Sequence, residues 1–269
     1  MGSASPASSC DHARVSSLRE VTATRYVTPF REGGSMPGLV EADDLGMYVV
    51  KFRGAGQGIK VLVAEVVVGE LARRLGFRVP EIVLVHLDPE LARAEPDQEV
   101  QELLRASGGL NLGFDYLPGS FDFNPVVRDP GTELATRLLW FDALTLNVDR
   151  SWRNPNMLLW HRKPWLIDHG ASLYFHYSWS EDKPAGKDFR YDASDHAMLP
   201  NAGALSEMDE ELAARITPQL LDDVLALVPD EWLEGDPREL RGRYKDFFTY
   251  RLAHRGWVDS LEAARAARV

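Results

Sequence analysis

The hydrophobic pattern of the first half of the chain is typical of a sheet with one main helix. Short β-branched and aromatic runs predict strands, and the clearest of them is Met47 to Phe52. Glu81 to Leu87 and Leu110 to Ser120 predict two more. Lys60 to Gly76 has helical spacing, with two arginines before a glycine, which is typical of a helix C-terminus. Asp88 to Ser107 is acidic and helical in pattern, and we expect it to be an exposed excursion.

The second half has a mostly helical pattern that one hairpin interrupts. Thr132 to Leu146 predicts a helix with a broad buried face, and Ser206 to Arg268 predicts further helices broken at proline and glycine. Met157–Trp160 and Trp165–Ile167 are two apolar runs, and the polar residues 161–164 between them predict a tight β-hairpin. The pattern therefore predicts the α+β class, with an N-terminal antiparallel sheet and a mostly helical C-terminal part.

Three regions follow from this pattern. Residues 1–17 are rich in serine and alanine and contain no apolar signal-peptide core, so we expect a disordered leader. Residues 18–117 and 118–269 are expected to form two units. With 269 residues, 45% of them hydrophobic, the chain is long enough to bury a sizeable core without disulfides or metals as staples.

Charge and cysteine content exclude some partners. The formal net charge of −11 repels nucleic acids and anionic membranes, so neither is expected as a general partner. The sequence contains no run of 18 apolar residues, so a membrane span is not expected. Cys10 is the single cysteine and cannot form an internal disulfide, which fits a reducing cytoplasm.

Candidate chemistry is concentrated around the predicted hairpin. Asp149 precedes it and Asp168 follows it, with Asn154 and Asn156 beside the first acid. Carboxylate and amide oxygens are hard ligands that suit Mg²⁺ bound to phosphate oxygens. Asp142 is an isolated acid on an apolar helix, and we expect it to be a structural hydrogen-bond acceptor. Asp195-His196 is expected to be a capped turn, with acid–base or metal chemistry as the alternative.

Lys51 lies inside an apolar strand, where an unpaired ammonium group would be costly to bury. The alternative is a lysine on an edge strand that extends its charged end into solvent. Glu65 lies among valines on the predicted helix, so we expect it to have an inward-facing partner, with Glu70 as the alternative.

The loop that contains Gly33, Gly34 and Ser35 joins two predicted strands. Its backbone N–H groups could approach an anion, or the loop could be a plain turn. The segment contains neither a P-loop nor a G-x-G-x-x-G pattern.

The order of these residues resembles the protein-kinase-like fold, in particular the HipA-like kinases and their phosphoinositide-kinase relatives. Asp149-Arg150 with an asparagine at position 154, a following apolar strand and Ile167-Asp168-x-Gly170 resemble the catalytic and metal-binding loops of those families. Residues 71–80 resemble the end of a helix in HipA-like sequences. Ser151 stands where those families have histidine, and His169 stands where Asp-Phe-Gly has phenylalanine.

The resemblance implies a bilobal protein-kinase-like fold and an ATP-dependent phosphotransferase. ATP and Mg²⁺ would be the nucleotide and the metal, and the acceptor would be a hydroxyl group of an unknown protein, on Ser or Thr, or of a small molecule. Asp149 would orient the acceptor hydroxyl and take its proton, and Arg150 would neutralise charge nearby. Asp168 would bind Mg²⁺, together with either Asn154 or Asn156.

The remaining roles implied by the resemblance concern the nucleotide. Lys51 would hold the phosphates and be steadied by Glu65. The loop around Gly33, Gly34 and Ser35 would cover the phosphates. The backbone of a hinge would hydrogen-bond to adenine, and its residues would be Asp115, Tyr116 and Leu117. Residues 180–192 would occupy the place of an activation segment and are expected to form a mobile loop.

Two alternatives to an active kinase remain. The first is a nucleotide-binding pseudokinase or a regulatory, toxin–antitoxin-like partner without turnover. Ser151 in place of the family histidine and the lack of a G-x-G-x-x-G pattern in the predicted phosphate loop favour it. The second is a non-kinase α+β protein in which Asp149 and Asp168 are structural caps.

Overall fold

A small closed barrel forms most of the first half of the chain. In the computed structural model, which describes residues 17–30, 36–179 and 189–267, it is built from five strands in the order β1-β2-β3-β5-β4. The strands are β1 (Arg19–Pro29), β2 (Gly38–Ala42), β3 (Met47–Lys51), β4 (Ile82–Leu87) and β5 (Gly109–Asp115). The predicted leader up to residue 16, the loop at 33–35 and residues 180–188 lie outside the described residues.

The predicted antiparallel sheet is wrong for one pair of strands. β1 pairs with β4 in parallel, from Arg19 opposite Val83 to Thr22 opposite His86. The other half of β1, from Ala23 to Pro29, pairs with β2 in the antiparallel sense. Because β1 is 11 residues long, its two halves reach different partners and close the sheet, which removes its free edges. Local alternation of apolar residues contains no signal for such closure.

Helix α1 (Ile59–Arg74) is buried along most of its length. Its apolar positions surround the helix because it packs against β4 on one side and against later helices on the other. The predicted glycine stop is present, since Gly76 has a φ of 89°. The N–H groups of Gly76 and Phe77 donate to the carbonyl oxygens of Arg73 and Ala72 at 2.9 and 3.0 Å, which is the Schellman arrangement.

The segment between β4 and β5 is not the exposed excursion that its composition predicts. It forms a 3₁₀ turn (Pro89–Ala94) and helix α2 (Gln98–Ala106). Ala92, Val100 and Leu104 are buried in the same apolar cluster as the inward-facing side chains of the barrel. The charged residues of the segment therefore cover one solvent-facing side only, and its apolar stripe completes the barrel core.

The second half contains a three-stranded sheet and five helices among its described residues. The strands lie in the order β6 (Phe121–Asp122), β7 (Met157–Trp160) and β8 (Lys163–Leu166). The helices are α3 (Thr132–Thr145), α4 (Asp209–Arg215), α5 (Pro218–Leu225), α6 (Pro237–Ala253) and α7 (Gly256–Ala266).

The predicted hairpin is present, but its turn is shorter than the expected four residues. Trp160 pairs with Lys163, and only His161 and Arg162 lie between the strands, with φ of 47° and 64°. Two successive positive φ values correspond to a type I′ turn, whose twist matches that of the flanking strands. The hairpin places Asn156 and Asp168 at the same end of the two strands.

One large apolar cluster joins the two halves. It contains α1, α3 and side chains from the C-terminal helices, while the interior of the barrel forms a separate cluster. In the ranges described above, none of the helices has the length and apolar character needed to cross a membrane.

Candidate active site

Lys51 stands at the C-terminal end of β3, and its ammonium group contacts two carboxylates. It donates to Glu65 Oε1 on α1 and, at 2.6 Å, to Asp168 Oδ1 in the loop after β8. These three residues are separated by as much as 117 positions in sequence. The lysine inside the apolar strand therefore has ion-pair partners from both halves of the chain, and it is not a surface lysine that reaches solvent.

Glu65 is fully buried and has two partners. Oε1 accepts from Lys51, and Oε2 accepts the backbone N–H of His169 at 2.9 Å. Burial by itself raises the pKa of a carboxyl group, but the Lys51 charge and the hydrogen bonds outweigh it, so the pKa of Glu65 lies below its usual range. Burial likewise opposes the charged form of Lys51, but the two carboxylates outweigh it and its pKa is raised.

Glu70, the alternative partner in the sequence, lies elsewhere. It is buried and its Oε1 is 3.4 Å from Arg73 Nε on the same helix. Burial raises its pKa. Of the two glutamates on α1, Glu65 is the one that contacts Lys51.

The loop after β8 presents Asp168 toward solvent and buries the residue that follows it. Asp168 has a φ of 54° and a side chain that is 43% exposed. His169 is fully buried, and neither ring nitrogen has a hydrogen-bond partner within the described parts of the chain. The histidine thus lies in the interior beside Glu65, with its Nδ1 3.6 Å from Glu65 Oε2, while the Asp168 carboxylate remains partly exposed.

Gly170 is required by close packing. A Cβ atom there would lie 2.6 Å from Val61 Cγ1 and 3.1 Å from Glu65 Oε1. The glycine therefore allows the loop to approach α1 closely enough for Glu65 to reach both Lys51 and the His169 amide.

Replacing Gly170 by alanine is expected to destabilise the fold by about 1–3 kcal/mol, because α1 must move away from the added methyl group. Gly56→Ala is the matched control, since a Cβ at Gly56 meets nothing within 4 Å. Urea unfolding of both variants measures the difference. Equal midpoints for the two variants would show that α1 and the Asp168 loop are not packed this closely.

Asp149 lies in the loop after α3 and binds both asparagines. The Nδ2 groups of Asn154 and Asn156 each donate to Asp149 Oδ2 at 3.1 Å. A carboxylate only accepts hydrogen bonds, so the amide oxygens of both asparagines remain available as ligands. The carbonyl oxygen of Asn156 also accepts the Ile167 N–H at 3.0 Å, which ties the Asp149 loop to the residue before Asp168.

Arg150 is buried and does not face solvent beside Asp149. Its Nε donates to Asp142 Oδ2 at 2.5 Å, and one terminal nitrogen donates to the carbonyl oxygens of Pro155 and Asn156 at 3.0 and 2.7 Å. This geometry holds the backbone of the asparagine segment in place. The structure thus gives Arg150 a positioning role within the loop.

Asp142 on α3 is the acceptor around which this loop is organised. Oδ2 accepts from Arg150 and from His196 Nε2 at 3.0 Å, and Oδ1 accepts from Asn147 Nδ2 at 3.2 Å. Burial opposes the charge of Asp142, but Arg150 and His196 outweigh it, so its pKa is lowered. The expectation of a structural acceptor agrees with this geometry.

His196 has a defined tautomer. Its Nδ1 accepts the Met198 N–H at 3.1 Å, so the proton lies on Nε2, which donates to Asp142. The segment around it pairs with the Asp149 loop, since Ser151 and His196 form a β-bridge and the Ala197 N–H donates to the Arg150 carbonyl oxygen. Asp195-His196 is therefore more than a capped turn, because the imidazole helps to hold this loop.

The side chains that hold this loop form what we call the brace around Asp142; they are Asp142, Asn147, Arg150, Tyr191 and His196. The sequence does not link His196 to the loop, and it does not indicate Tyr191, whose hydroxyl donates to Asn147 O at 2.7 Å. The only local signal was Asp142, an acid on an apolar helix. Its partners lie up to 54 residues away, so their convergence depends on the fold.

The predicted hinge follows β5, which pairs with the strand of Lys51. Tyr48 lies opposite Asp115, and Lys51 lies opposite Leu112. The N–H groups of Asp115 and Tyr116 donate to the carbonyl oxygens of Glu81 and Met47, both at 2.9 Å. Leu117 is buried, and its N–H has no backbone acceptor within the parts of the chain that the structure describes.

The arrangement suits a metal ion that takes only some of its ligands from the protein and the others from phosphate oxygens and water. Within residues 17–30, 36–179 and 189–267, no group of three or more His, Cys, Asp or Glu side chains could hold a metal ion alone. Asp168 contributes one carboxylate and the asparagines contribute amide oxygens. Mg²⁺ is usually bound in this way, through one or two carboxylates together with phosphates and water.

Known proteins resemble this chain in sequence pattern and in fold. The sequence model of the HipA-like kinases matches residues 24–250. A Helicobacter pylori proinflammatory kinase, CtkA, has a similar structure, with a TM-score of 0.52 and 14% identity over 88% of this chain and 94% of that one. This likeness shows a kinase-like fold.

A Golgi casein kinase is also similar, in a structure with Mn and ADP bound. It has a TM-score of 0.46 and 13% identity, over 88% of this chain and 73% of that one. No curated protein sequence matches the chain.

Proposed function

This chain belongs to the HipA-like kinase family, and we propose that it uses Mg²⁺ to transfer the γ-phosphoryl group of ATP to a hydroxyl group. A serine or threonine of a protein is the proposed acceptor, with a small-molecule hydroxyl as the alternative. One observation carries the proposal. Lys51 from β3 contacts Asp168 from the loop after β8 at 2.6 Å, and Asn156 ties the Asp149 loop to the same segment.

We assign the metal to Asp168 and an asparagine. Asn156 is the better candidate, because its carbonyl oxygen accepts the N–H of the residue that precedes Asp168, whereas Asn154 is exposed and lies two residues earlier in the loop. Mg²⁺ bound to ATP would offset the negative charge that develops on the transferred group. Asp168, with free oxygen valences at the protein surface, would hold the ion in place.

Lys51 and Asp149 take the two remaining roles. The Lys51 ammonium would hold the ATP phosphates, and Glu65 would keep it in position and charged. Asp149 would accept the proton of the attacking hydroxyl as the new O–P bond forms and the bond to ADP breaks. The amide groups of Asn154 and Asn156 orient the Asp149 carboxylate. Arg150 would support this step indirectly, because it holds the backbone of the loop that carries Asp149.

Adenine would lie against the hinge after β5. Leu117 is the proposed donor, because the N–H groups of Asp115 and Tyr116 are already used within the fold. The Leu117 carbonyl oxygen already accepts the Ser120 N–H at 3.1 Å, so Asp115 and Tyr116 are the proposed carbonyl acceptors for the adenine amino group. Residues 18–117 and 118–269 would be the two lobes that share the nucleotide cleft.

A nucleotide-binding partner without turnover is the second candidate, because Ser151 replaces the family histidine. The structure offers an observation against it. Ser151 forms a β-bridge with His196, whose imidazole binds Asp142 beneath the same loop. An imidazole from a different segment thus contributes to holding the loop, which favours an active enzyme.

The test is phosphoryl transfer from γ-labelled ATP by the purified chain, with and without Mg²⁺. We expect Mg²⁺-dependent release of labelled phosphate or labelling of serine or threonine, located by mass spectrometry. Tight ATP binding without transfer to protein, peptide or water would reject the kinase and favour the second candidate, a nucleotide-binding partner without turnover. Absence of both binding and transfer would reject both candidates.

A further inference from the structure

Two large apolar side chains lie exposed on either side of Asp149. Val148 immediately precedes the acid and is 61% exposed, and Trp152 follows it by three residues and is 48% exposed. Neither side chain belongs to the apolar clusters that the described residues form. Binding residues are concentrated on loops that a rigid scaffold holds in place, so exposed apolar groups beside the proposed general base indicate contact with the acceptor.

The backbone holds Trp152 in a defined position. Ser151 and Asn154 exchange two hydrogen bonds between their N–H and carbonyl groups, at 3.1 Å each, so the two residues between them form the tip of a tight turn. Trp152 is the first of these two, and its N–H donates to the Asp195 carbonyl oxygen at 3.0 Å. A residue on such a fixed turn loses little backbone freedom when a partner binds, which favours affinity.

The turn also lies close to the Asp149 carboxylate. Asn154 Nδ2, at the base of the turn, donates to Asp149 Oδ2 at 3.1 Å. Trp152 is three residues from Asp149, and three residues of chain span at most about 11 Å between Cα atoms. An extended peptide advances about 3.3–3.6 Å per residue. A side chain within about three residues of a hydroxyl group at Asp149 can therefore reach the indole ring.

The surface around Trp152 suits an apolar group. The Arg153 guanidinium lies 4.1 Å from the centre of the indole ring, so it covers part of the ring and holds its orientation. Arg153 Nη1 is 3.9 Å from Asp195 Oδ2, and both of these side chains are exposed. The two charges at the turn compensate each other, so the exposed remainder of the ring and Val148 offer apolar area.

A polypeptide fits this surface better than a small molecule does. Small-molecule sites are concave and bury most of their ligand. Val148 and Trp152 instead stand on an exposed loop, where a small ligand would leave much of its surface in water. A polypeptide continues past the site in both directions, so it can place a hydroxyl group at Asp149 and a neighbouring side chain on the apolar pair.

We propose that the phosphoryl acceptor is a protein segment, and that Trp152, together with Val148, binds an apolar side chain within about three residues of the accepting serine or threonine. This inference rests on the proposed phosphotransfer and adds recognition of the acceptor sequence to it. Neither residue is assigned a role in ATP binding.

The test uses synthetic peptides with one serine in a glycine and alanine background. Each of the three positions on either side of the serine is replaced in turn by leucine or by glutamine. The full chain phosphorylates the peptides with γ-labelled ATP and Mg²⁺, and the ratio of kcat/KM for the leucine and glutamine peptides is measured at each position. We expect a ratio of at least about fivefold at one or more positions. One methylene group in a hydrophobic pocket changes kcat/KM by about 10–200-fold, and an open surface discriminates less.

Three variants link this preference to the turn. Trp152→Ala is expected to reduce the ratio to within about twofold, with the loss in the KM for peptide and not in the KM for ATP. Trp152→Phe keeps an aromatic surface and should retain the preference for leucine, which separates recognition from damage to the loop. Leu45→Ala removes an apolar side chain that is 87% exposed on the turn between β2 and β3, and it should leave the ratio unchanged.

The outcomes distinguish this inference from the phosphotransfer on which it rests. Peptide phosphorylation without a preference for leucine at any position, or a preference that Trp152→Ala leaves intact, overturns the inference. Transfer only to water or to small-molecule hydroxyls such as glycerol also overturns it, and it is compatible with the proposed phosphotransfer. Absence of all transfer, including release of labelled phosphate into water, rejects the phosphotransfer and this inference with it.

Discussion

Asp149→Asn is expected to lower the rate of phosphoryl transfer by about 10²–10⁴-fold, the usual contribution of a positioned general base. The asparagine retains an oxygen that can accept from Asn154 and Asn156, so the loop should keep its shape. It cannot accept the hydroxyl proton at neutral pH. ATP affinity should therefore change little, and the loss should be confined to the transfer rate. Initial rates with γ-labelled ATP, together with ATP binding by calorimetry, separate the two effects.

Asp195→Asn is the matched control for this variant. Asp195 is an exposed acid on the segment that supports the loop, and its nearest cation is Arg153 at 3.9 Å. The same chemical change there should leave the rate within about threefold, since exposed ion pairs contribute little. An Asp149→Asn enzyme with the rate of the control would remove Asp149 from the proton transfer.

Lys51→Met is expected to destabilise the protein by about 3–5 kcal/mol at pH 7, because it leaves the buried Glu65 carboxylate without its counter-charge. The double variant Lys51→Met/Glu65→Gln should recover much of this loss, since the neutral amide needs no charge compensation and its oxygen can still accept the His169 N–H. Lys163→Met, at an exposed position on β8, is the control and should change stability by no more than about 0.5 kcal/mol. Equilibrium unfolding in urea measures all three.

The effect of Lys51→Met should depend on pH in a defined direction. In the wild type the pKa of Glu65 is lowered, so its stabilising contribution is present above the unfolded pKa and is lost only as the pH falls through the lower folded value. Without Lys51, burial raises the folded pKa, so the variant loses stability as the pH rises through that raised value. The difference in unfolding free energy should therefore be larger at pH 7 than at pH 4. A difference that is independent of pH would show that Glu65 does not carry a charge paired with Lys51.

The sequence predicts an element correctly where a residue differs clearly from its immediate neighbours. Lys51 interrupts an apolar strand, Gly76 ends a helix, and the turn at residues 161–164 separates two apolar runs, so each identifies its element from a few neighbours. The order of motifs in a known family gave Lys51 and Asp168 separate roles at one site, and in the structure their side chains are in contact. The choice between Glu65 and Glu70 needed the packing of α1, which local spacing cannot provide.

The features that sequence could not predict depend on contacts between distant segments. The parallel pairing of β1 with β4 arises because one long strand is shared between two partners. The buried side of α2 was hidden by its acidic composition, which describes only its solvent-facing side. Arg150 was expected to neutralise charge near Asp149, but its guanidinium is buried and pairs with Asp142 on the preceding helix. His196 joins the same acceptor from another segment.

The brace around Asp142 explains how the loop can be ordered although Ser151 stands in the place of a histidine. Asp142 accepts from Arg150, His196 and Asn147, three donors from two segments, so its carboxylate is fully used within the fold. Arg150 also donates to the carbonyl oxygens of Pro155 and Asn156, so the network holds the backbone of the loop that presents Asp149. It leaves the Asp149 carboxylate itself outside the network.

We propose that Lys51, Asp168 and the Asp149 loop form one site for Mg²⁺ and ATP. Thermal unfolding of the wild type and of Asp168→Asn, each with ATP alone, Mg²⁺ alone and both together, is the test of this site. Ligand at about 100 times Kd adds roughly 2.7 kcal/mol of stability, which corresponds to a Tm rise of about 5–10 °C for a chain of this size. We predict this rise for the wild type with ATP and Mg²⁺ together, and its loss in Asp168→Asn. A wild-type Tm that is unaffected by ATP and Mg²⁺, or an equal rise in Asp168→Asn, would contradict the claim.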